Sequence, residues 1–183
     1  MGRIYPFAES SGNARVVEAA CRLLPKYPDF TAVVVGFVSV DNRLFVEGLK
    51  QRIAAAGLSD RIRFLGELPI EEAPLWYQRI SIYVFASRVE GFGLTMIEAM
   101  AAGDAVAATR AGSAETVIAD GVDGVLAPAD DLEGLIEALE PLLRDPERAK
   151  RMGEKAHEKV RRDFSREREV DEIVALYRRL WGE

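Results

Sequence analysis

Glu90 and Glu98 stand eight positions apart around the turn Gly91-Phe92-Gly93, inside the stretch SRVEGFGLTMIEAM (87–100). Carboxylates accept hydrogen bonds from sugar hydroxyls. A glycine turn that runs into a helix holds anions, because glycine lets backbone come close and the first free N–H groups of a helix carry about half a positive charge. Two acids beside a bare diphosphate would repel it, so the combination is consistent only if each acid meets a neutral part of the same ligand. Sugars at the two ends of a diphosphate are the natural neutral parts. Each sign is weak alone: a helix dipole favours an acid in the first turns whatever the function, and many Gly-x-Gly turns serve packing.

The elements that must position these residues follow from the patterning. Short β-branched runs at 3–8, 31–37, 61–66, 81–87, 105–110 and 124–129 alternate with helical patterns at Ala14 to Leu24, Arg43 to Ala56, Glu71 to Arg79, Leu94 to Ala102 and Ser113 to Ile118. Asn13 is the expected cap of the first helix and Gly57 the residue just past the second. Most of the strands lack a period-two alternation, as strands do when helices cover both faces of a parallel sheet. The expected fold is α/β: a doubly wound, mainly parallel, six-stranded Rossmann-like sheet with helices on both faces and a helical C-terminal tail. Residues 1–131 form the core, and 132–183 are helices packing on the same domain, broken at Asp145-Pro146 and Phe164-Ser165-Arg166. Val170, Ile173, Val174, Tyr177 and Leu180 share one stripe of the last helix, which packs on the sheet domain or crosses to something else. In such a sheet ligands bind beyond the carboxyl ends of the strands, where the winding reverses, and the stretch 87–100 lies at a strand's carboxyl end.

Composition removes several classes of function. The 183 residues are 49% hydrophobic and 30% charged, which fits an ordinary core, and a net charge of −6 argues against a nucleic-acid surface. Cys21 is the single cysteine and reads as a small buried hydrophobe, so no intrachain disulfide or cysteine metal cluster is expected. No apolar run is long enough for a signal peptide or a membrane span, and the expected location is cytoplasmic, with peripheral contact to the inner membrane face left open. His157, the single histidine, lies in the charge-rich run GEKAHEKVRR and reads as a solvated residue rather than a catalyst. Trp76 and Tyr77 read as helix-to-sheet packing.

EGFGLTMIEAM (90–100) resembles the Glu-x7-Glu signature of the retaining GT-B glycosyltransferases, which use nucleotide sugars. GLSDRIRFLGELP (57–69), AMAAGDAVAATRAGSAETV (99–117) and DGVDGVLAPADD (120–131) agree with it. Within that family, LLPKYPDFTAVVVG (23–36) and ELPIEEAPLWYQRISIYVF (67–85) are similar to the mannosyltransferases of lipopolysaccharide core assembly. The likeness covers nearly the whole chain and corresponds to the C-terminal, donor-binding half of such enzymes. It implies a nucleotide-diphosphate sugar as substrate, GDP-mannose or a UDP-hexose, with no metal and no further cofactor, and hexosyl transfer with retention. Glu90 becomes the catalytic-site acid that binds the donor hexose near the reacting centre, and Glu98 holds the ribose hydroxyls. Backbone N–H groups from Gly91 through Phe92, Gly93 and Leu94 to Thr95 meet the phosphates. Arg3 helps to neutralise them, and Leu65, Gly66 and Leu68 contact the base.

Two departures from the family pattern bear on activity. The family's Gly-Arg is followed five residues later by Lys-Gly, whereas here Gly2-Arg3 leads to Ala8-Glu9, removing a cation from the leaving diphosphate. Little chain precedes Gly2-Arg3 to form the central strand, so either the run at 3–8 takes that place, with Ser10, Ser11 and Gly12 as an anion-binding nest, or two chains exchange a strand in a homodimer. The acceptor-binding half is expected elsewhere, and the isolated chain is expected to turn over little or nothing. The competing expectation is a non-catalytic truncated or engineered scaffold that has lost donor binding. An NAD-type reading is weaker, for no Gly-x-Gly-x-x-Gly follows the first strand.

Overall fold

A computed structural model describes residues 12–182 and the backbone of residues 2–4. Strands β1 (Gly2–Ile4), β2 (Ala32–Val35), β3 (Ile62–Gly66), β4 (Ile82–Phe85), β5 (Ala105–Thr109) and β6 (Val125–Ala127) alternate with helices α1 (Asn13–Leu23), α2 (Arg43–Ala55), α3 (Ala73–Tyr77), α4 (Leu94–Ala102) and α5 (Ala114–Val117). The tail is helical: α6 (Leu132–Arg144), α7 (Pro146–Asp163) and α8 (Arg166–Trp181).

All strand pairs are parallel, in the order β3-β2-β1-β4-β5-β6. Two ribbons, β2-β3 and β4-β5-β6, are joined by β1, whose Gly2, Arg3 and Ile4 pair with Val33, Val34 and Val35 while Gly2 also pairs with Tyr83. Gly2–Ile4 thus occupy the centre of the sheet, between β2 and β4. The rest of the expected first strand, from Tyr5, lies outside the described residues.

Successive residues of the inner strands feed two separate cores, the physical reason for the missing alternation. Ile82 and Val84 of β4 and Ala105 and Ala107 of β5 join α1, α2 and α6. Tyr83, Phe85, Val106 and Ala108 join α4 and α5 on the other face. Helix α7 serves both, through Ala149 and Met152 to the first core and Ala156 and Val160 to the second. Lys159 of α7 also pairs at 3.1 Å with the buried Asp123, whose carboxylate accepts from Ala119 N at 2.7 Å and so pins the loop before β6.

Side-chain caps begin the tail helices where the sequence breaks were expected: Asp131 accepts from Gly134 N, Asp145 from Arg148 N, and Ser165 from Arg168 N. Other boundaries moved. Asn13 is the first residue of α1, wholly buried, and the cap is Gly12 at φ 72°, where a Cβ would lie 1.7 Å from Ala86 O. Helix α3 is shorter than expected, beginning beside Pro74. Cys21 is partly buried against the core, and burial raises its thiol pKa. No helix among the described residues is long and apolar enough to cross a membrane. Helix α8 has no buried residue, so Val170, Ile173, Val174, Tyr177 and Leu180 do not pack on the sheet.

Candidate functional site

The winding reverses between β1 and β4, and beside that point the loops that leave the carboxyl ends of β4, β5 and β6 meet. The β4 loop carries the first of the two expected acids. Glu90 is half-buried in it: its Oε1 accepts from Gly91 N at 3.1 Å and its Oε2 lies 3.4 Å from Ser87 Oγ, which donates. Thr109, the buried last residue of β5, donates from Oγ1 to Ser87 O at 2.6 Å and holds the loop from the neighbouring strand. The β5 loop closes on it from above, since a Cβ on Gly112 would lie 2.7 Å from Glu90 O, and Ser113 Oγ donates to Phe92 O.

Gly93 caps α4 with φ 78°, a conformation that favours glycine. Gly91 differs, having nothing within 4 Å of where a Cβ would stand. The turn from Gly91 into α4 therefore presents open backbone, with Phe92 and Leu94 exposed and the Thr95 hydroxyl buried without a partner among the described residues. Beside the loop, Arg15 of α1 donates to Ala86 O at 2.8 Å, and both Arg15 and Arg88 engage Asp130 of the β6 loop. Burial raises the Asp130 carboxyl pKa but the two guanidinium groups outweigh it, so the carboxyl stays below its ordinary range.

Glu98 lies one turn further along α4, exposed, and its Oε2 accepts from Tyr77 OH at 3.0 Å. The two carboxylates thus flank the start of one helix, Glu90 before it and Glu98 on its flank. Glu98 opens onto a groove of about 560 Å³ shared with Ile70, Pro74, Tyr77, Gln78 and His157. His157 is not freely solvated: its Nδ1 lies 2.6 Å from Ala101 O, and because a carbonyl only accepts, Nδ1 carries the proton. Leu65 lines a different groove, with Lys50 and Ile53 of α2. Gly66 closes the end of β3, φ 73°, its carbonyl accepting from Gly36 N at 2.8 Å, and Leu68 is half-buried beyond it. Arg3 belongs to β1, but its side chain, like Ala8, Glu9, Ser10 and Ser11, lies outside the described residues.

The structure places Glu90, Gly91, Phe92, Gly93, Leu94, Thr95 and Glu98 on one turn and one helix, as their spacing suggests. Sequence reasoning missed the supports: Thr109, Gly112, Ser113, Arg15 and the hydroxyl of Tyr77. Thr109 and Ser113 stand at the end of the β5 run and just beyond it, and small hydroxyl residues at a strand's carboxyl end are the available signal.

Parallel strands wound in both directions, with a glycine turn and a helix start at the reversal, define a Rossmann-like ligand-binding domain. Residues 7–159 match the family described as glycosyl transferases group 1, and the chain belongs to that family. It is 44% identical over 172 residues, 94% of this chain, to the lipopolysaccharide core biosynthesis mannosyltransferase LpcC of Rhizobium leguminosarum bv. viciae. Identity to the corresponding enzyme LpsB of Rhizobium meliloti is 35% over 171 residues, 92% of this chain. In each case the chain spans about half, 48%, of the relative's length. The crystal structure of the C-terminal domain of a group 1 glycosyl transferase, LpcC, from Francisella tularensis superposes with a TM-score of 0.86 at 33% identity, covering 90% of this chain and 85% of that one.

Proposed function

We propose that this chain is the donor-binding domain of a glycosyltransferase whose complete form moves a hexose, mannose in the first instance, from a nucleotide diphosphate to an acceptor hydroxyl with retention of configuration. The observation that carries this reading is the placement of Glu90 and Glu98 on either side of the α4 start, beyond the carboxyl end of β4. The dipole of α4 and the backbone N–H groups from Gly91 to Thr95 suit the diphosphate. Glu90 receives the hydroxyls of the hexose, Glu98 those of the ribose, and the segment Leu65–Leu68 the base. Arg3 adds charge to the leaving diphosphate, where negative charge develops as the sugar–oxygen bond breaks. Residues 1–131 carry these groups, and 132–183 are helices of the same unit.

GDP-mannose is the first donor to test, because two similar proteins are named mannosyltransferases; a UDP-hexose is the alternative. The acceptor-binding half belongs to sequence outside this chain, and the site works in the cytoplasm. Ala8 in place of the family's lysine favours a second reading, a scaffold that has kept the fold and lost the ligand.

Isothermal titration with GDP, UDP, ADP, GDP-mannose and UDP-glucose at low salt separates the two. Saturable binding of one nucleotide, lost in Glu98→Ala, is the expected result; no heat from any of the five would leave the scaffold reading standing.

A further inference from the structure

The buried phenol of Tyr77 has one partner that no packing role requires. Its ring, 3% exposed, stacks edge-on against Tyr83 of β4 with centroids 5.8 Å apart, so the ring is held on the sheet and cannot follow a moving partner. Its hydroxyl donates across to Glu98 Oε2 at 3.0 Å, from α3 to α4. Burial, then Tyr83 and Glu98, raises the phenol pKa above its ordinary value, so the group is a donor at neutral pH. Glu98 itself is exposed, and an exposed glutamate on a helix samples several rotamers of similar energy. A fixed donor selects one of them and occupies Oε2, leaving Oε1 without a hydrogen bond among the described residues, on a side chain that lines a groove with Pro74, Gln78 and His157.

We infer that Tyr77 is a positioning residue for nucleotide recognition: the Tyr77 hydroxyl holds the Glu98 carboxylate in the rotamer that presents Oε1 to the ribose hydroxyls. This rests on the reading of Glu98 as the ribose ligand and adds a residue to it. A ligand that meets an already fixed carboxylate loses no side-chain freedom at that contact, and a charge-assisted hydrogen bond from a hydroxyl to carboxylate depends steeply on geometry. Phenylalanine at position 77 keeps the ring on Tyr83 and removes only the donor.

Affinities of GDP and UDP, each beside its 2′,3′-dideoxy form, are measured by titration for the wild-type chain, Tyr77→Phe and Glu98→Ala, with thermal melts alongside. The expected result is that Tyr77→Phe weakens the hydroxyl-bearing nucleotide by about fivefold to tenfold, within the range of one hydrogen bond to a charged group, while the dideoxy form binds as it does to wild type. Glu98→Ala should remove the difference between the two forms altogether. Equal weakening of both forms by Tyr77→Phe would mean that the phenol supports the fold rather than the carboxylate, and unchanged affinity for both would mean that it does neither; each overturns the inference while leaving Glu98 in place. A wild-type chain that does not distinguish the two forms, or Glu98→Ala that does not alter them, overturns the ribose assignment itself.

Discussion

Two glycines of one turn separate function from folding at the level of single residues. Gly93 needs its positive φ to start α4, whereas an added Cβ at Gly91 would meet nothing within 4 Å. Gly91→Ala is therefore expected to melt with the wild-type chain yet to bind nucleotide about tenfold more weakly, because the methyl occupies space that only a ligand contests. Melting and titration of the same sample check this, and a fall in stability with affinity intact would reverse the argument. Thr109 is the opposite case. Its hydroxyl, buried at the end of β5, donates at 2.6 Å to Ser87 O, so Thr109→Val keeps the shape but removes the buried hydrogen bond that ties β5 to the Glu90 loop. Destabilisation by about 1–3 kcal/mol is expected in chemical denaturation, with weaker nucleotide binding as the Glu90 turn loosens. Glu90 and Glu98 were legible in the sequence because their spacing around the glycines is local. Thr109 was not, since its importance comes from a neighbouring strand.

Among the elements, α7 and α8 have opposite relations to the sheet. Helix α7 lies so close to the α4–β5 connection that a Cβ on Gly153 would stand 1.9 Å from Gly103 O. The obstructing atom belongs to backbone and cannot swing aside as a side chain would, so Gly153→Ala must push the helix away from its bed. The expected cost is about 1–3 kcal/mol, and each kcal/mol lowers the melting midpoint of a chain this size by about 2–4 °C. Helix α8 keeps an apolar stripe but buries none of it. Ile173→Ala and Tyr177→Ala should consequently change stability by no more than about 0.5 kcal/mol. A loss of more than about 2 kcal/mol in denaturant melts would mean that the stripe is packed in solution. The heptad-like stripe was visible in the sequence, but periodicity reports only that one face is apolar; it carries no information about which surface, if any, lies opposite.

At the scale of the whole molecule, Asp104 ties stability to pH. It is 2% exposed at the entry to β5, its Oδ2 has no hydrogen-bond partner among the described residues, and burial pushes its carboxyl up to about 8. The folded chain thus keeps a proton that an unfolded aspartate releases near pH ~4. The stabilising contribution of this group is full below about pH 4 and is lost as pH rises to about 8, by up to about 1.4 kcal/mol per unit. An asparagine in its place would have no proton to lose. Asp104→Asn is expected to melt higher than wild type at pH 8 and to flatten the decline between pH 5 and pH 8; parallel melting curves for the two chains across that range would remove Asp104 as the cause.

The sequence alone determined the alternation of strand and helix, the parallel class of the sheet, the breaks between the tail helices and the gathering of Glu90, Glu98 and the glycines around the α4 start. Each of these rests on interactions within a few residues: side-chain periodicity, a capping oxygen three positions from its donor, two acids on either side of a glycine turn. Tertiary structure decided what depends on partners far along the chain. It set Gly2–Ile4 between β2 and β4, packed Gly12 against Ala86, brought Thr109, Gly112 and Ser113 onto the Glu90 loop, and placed the hydroxyl of Tyr77 on Glu98. Hydrogen bonds and close contacts of this kind are short-ranged in space and indifferent to separation in sequence, so only the folded sheet could choose among the residues able to make them.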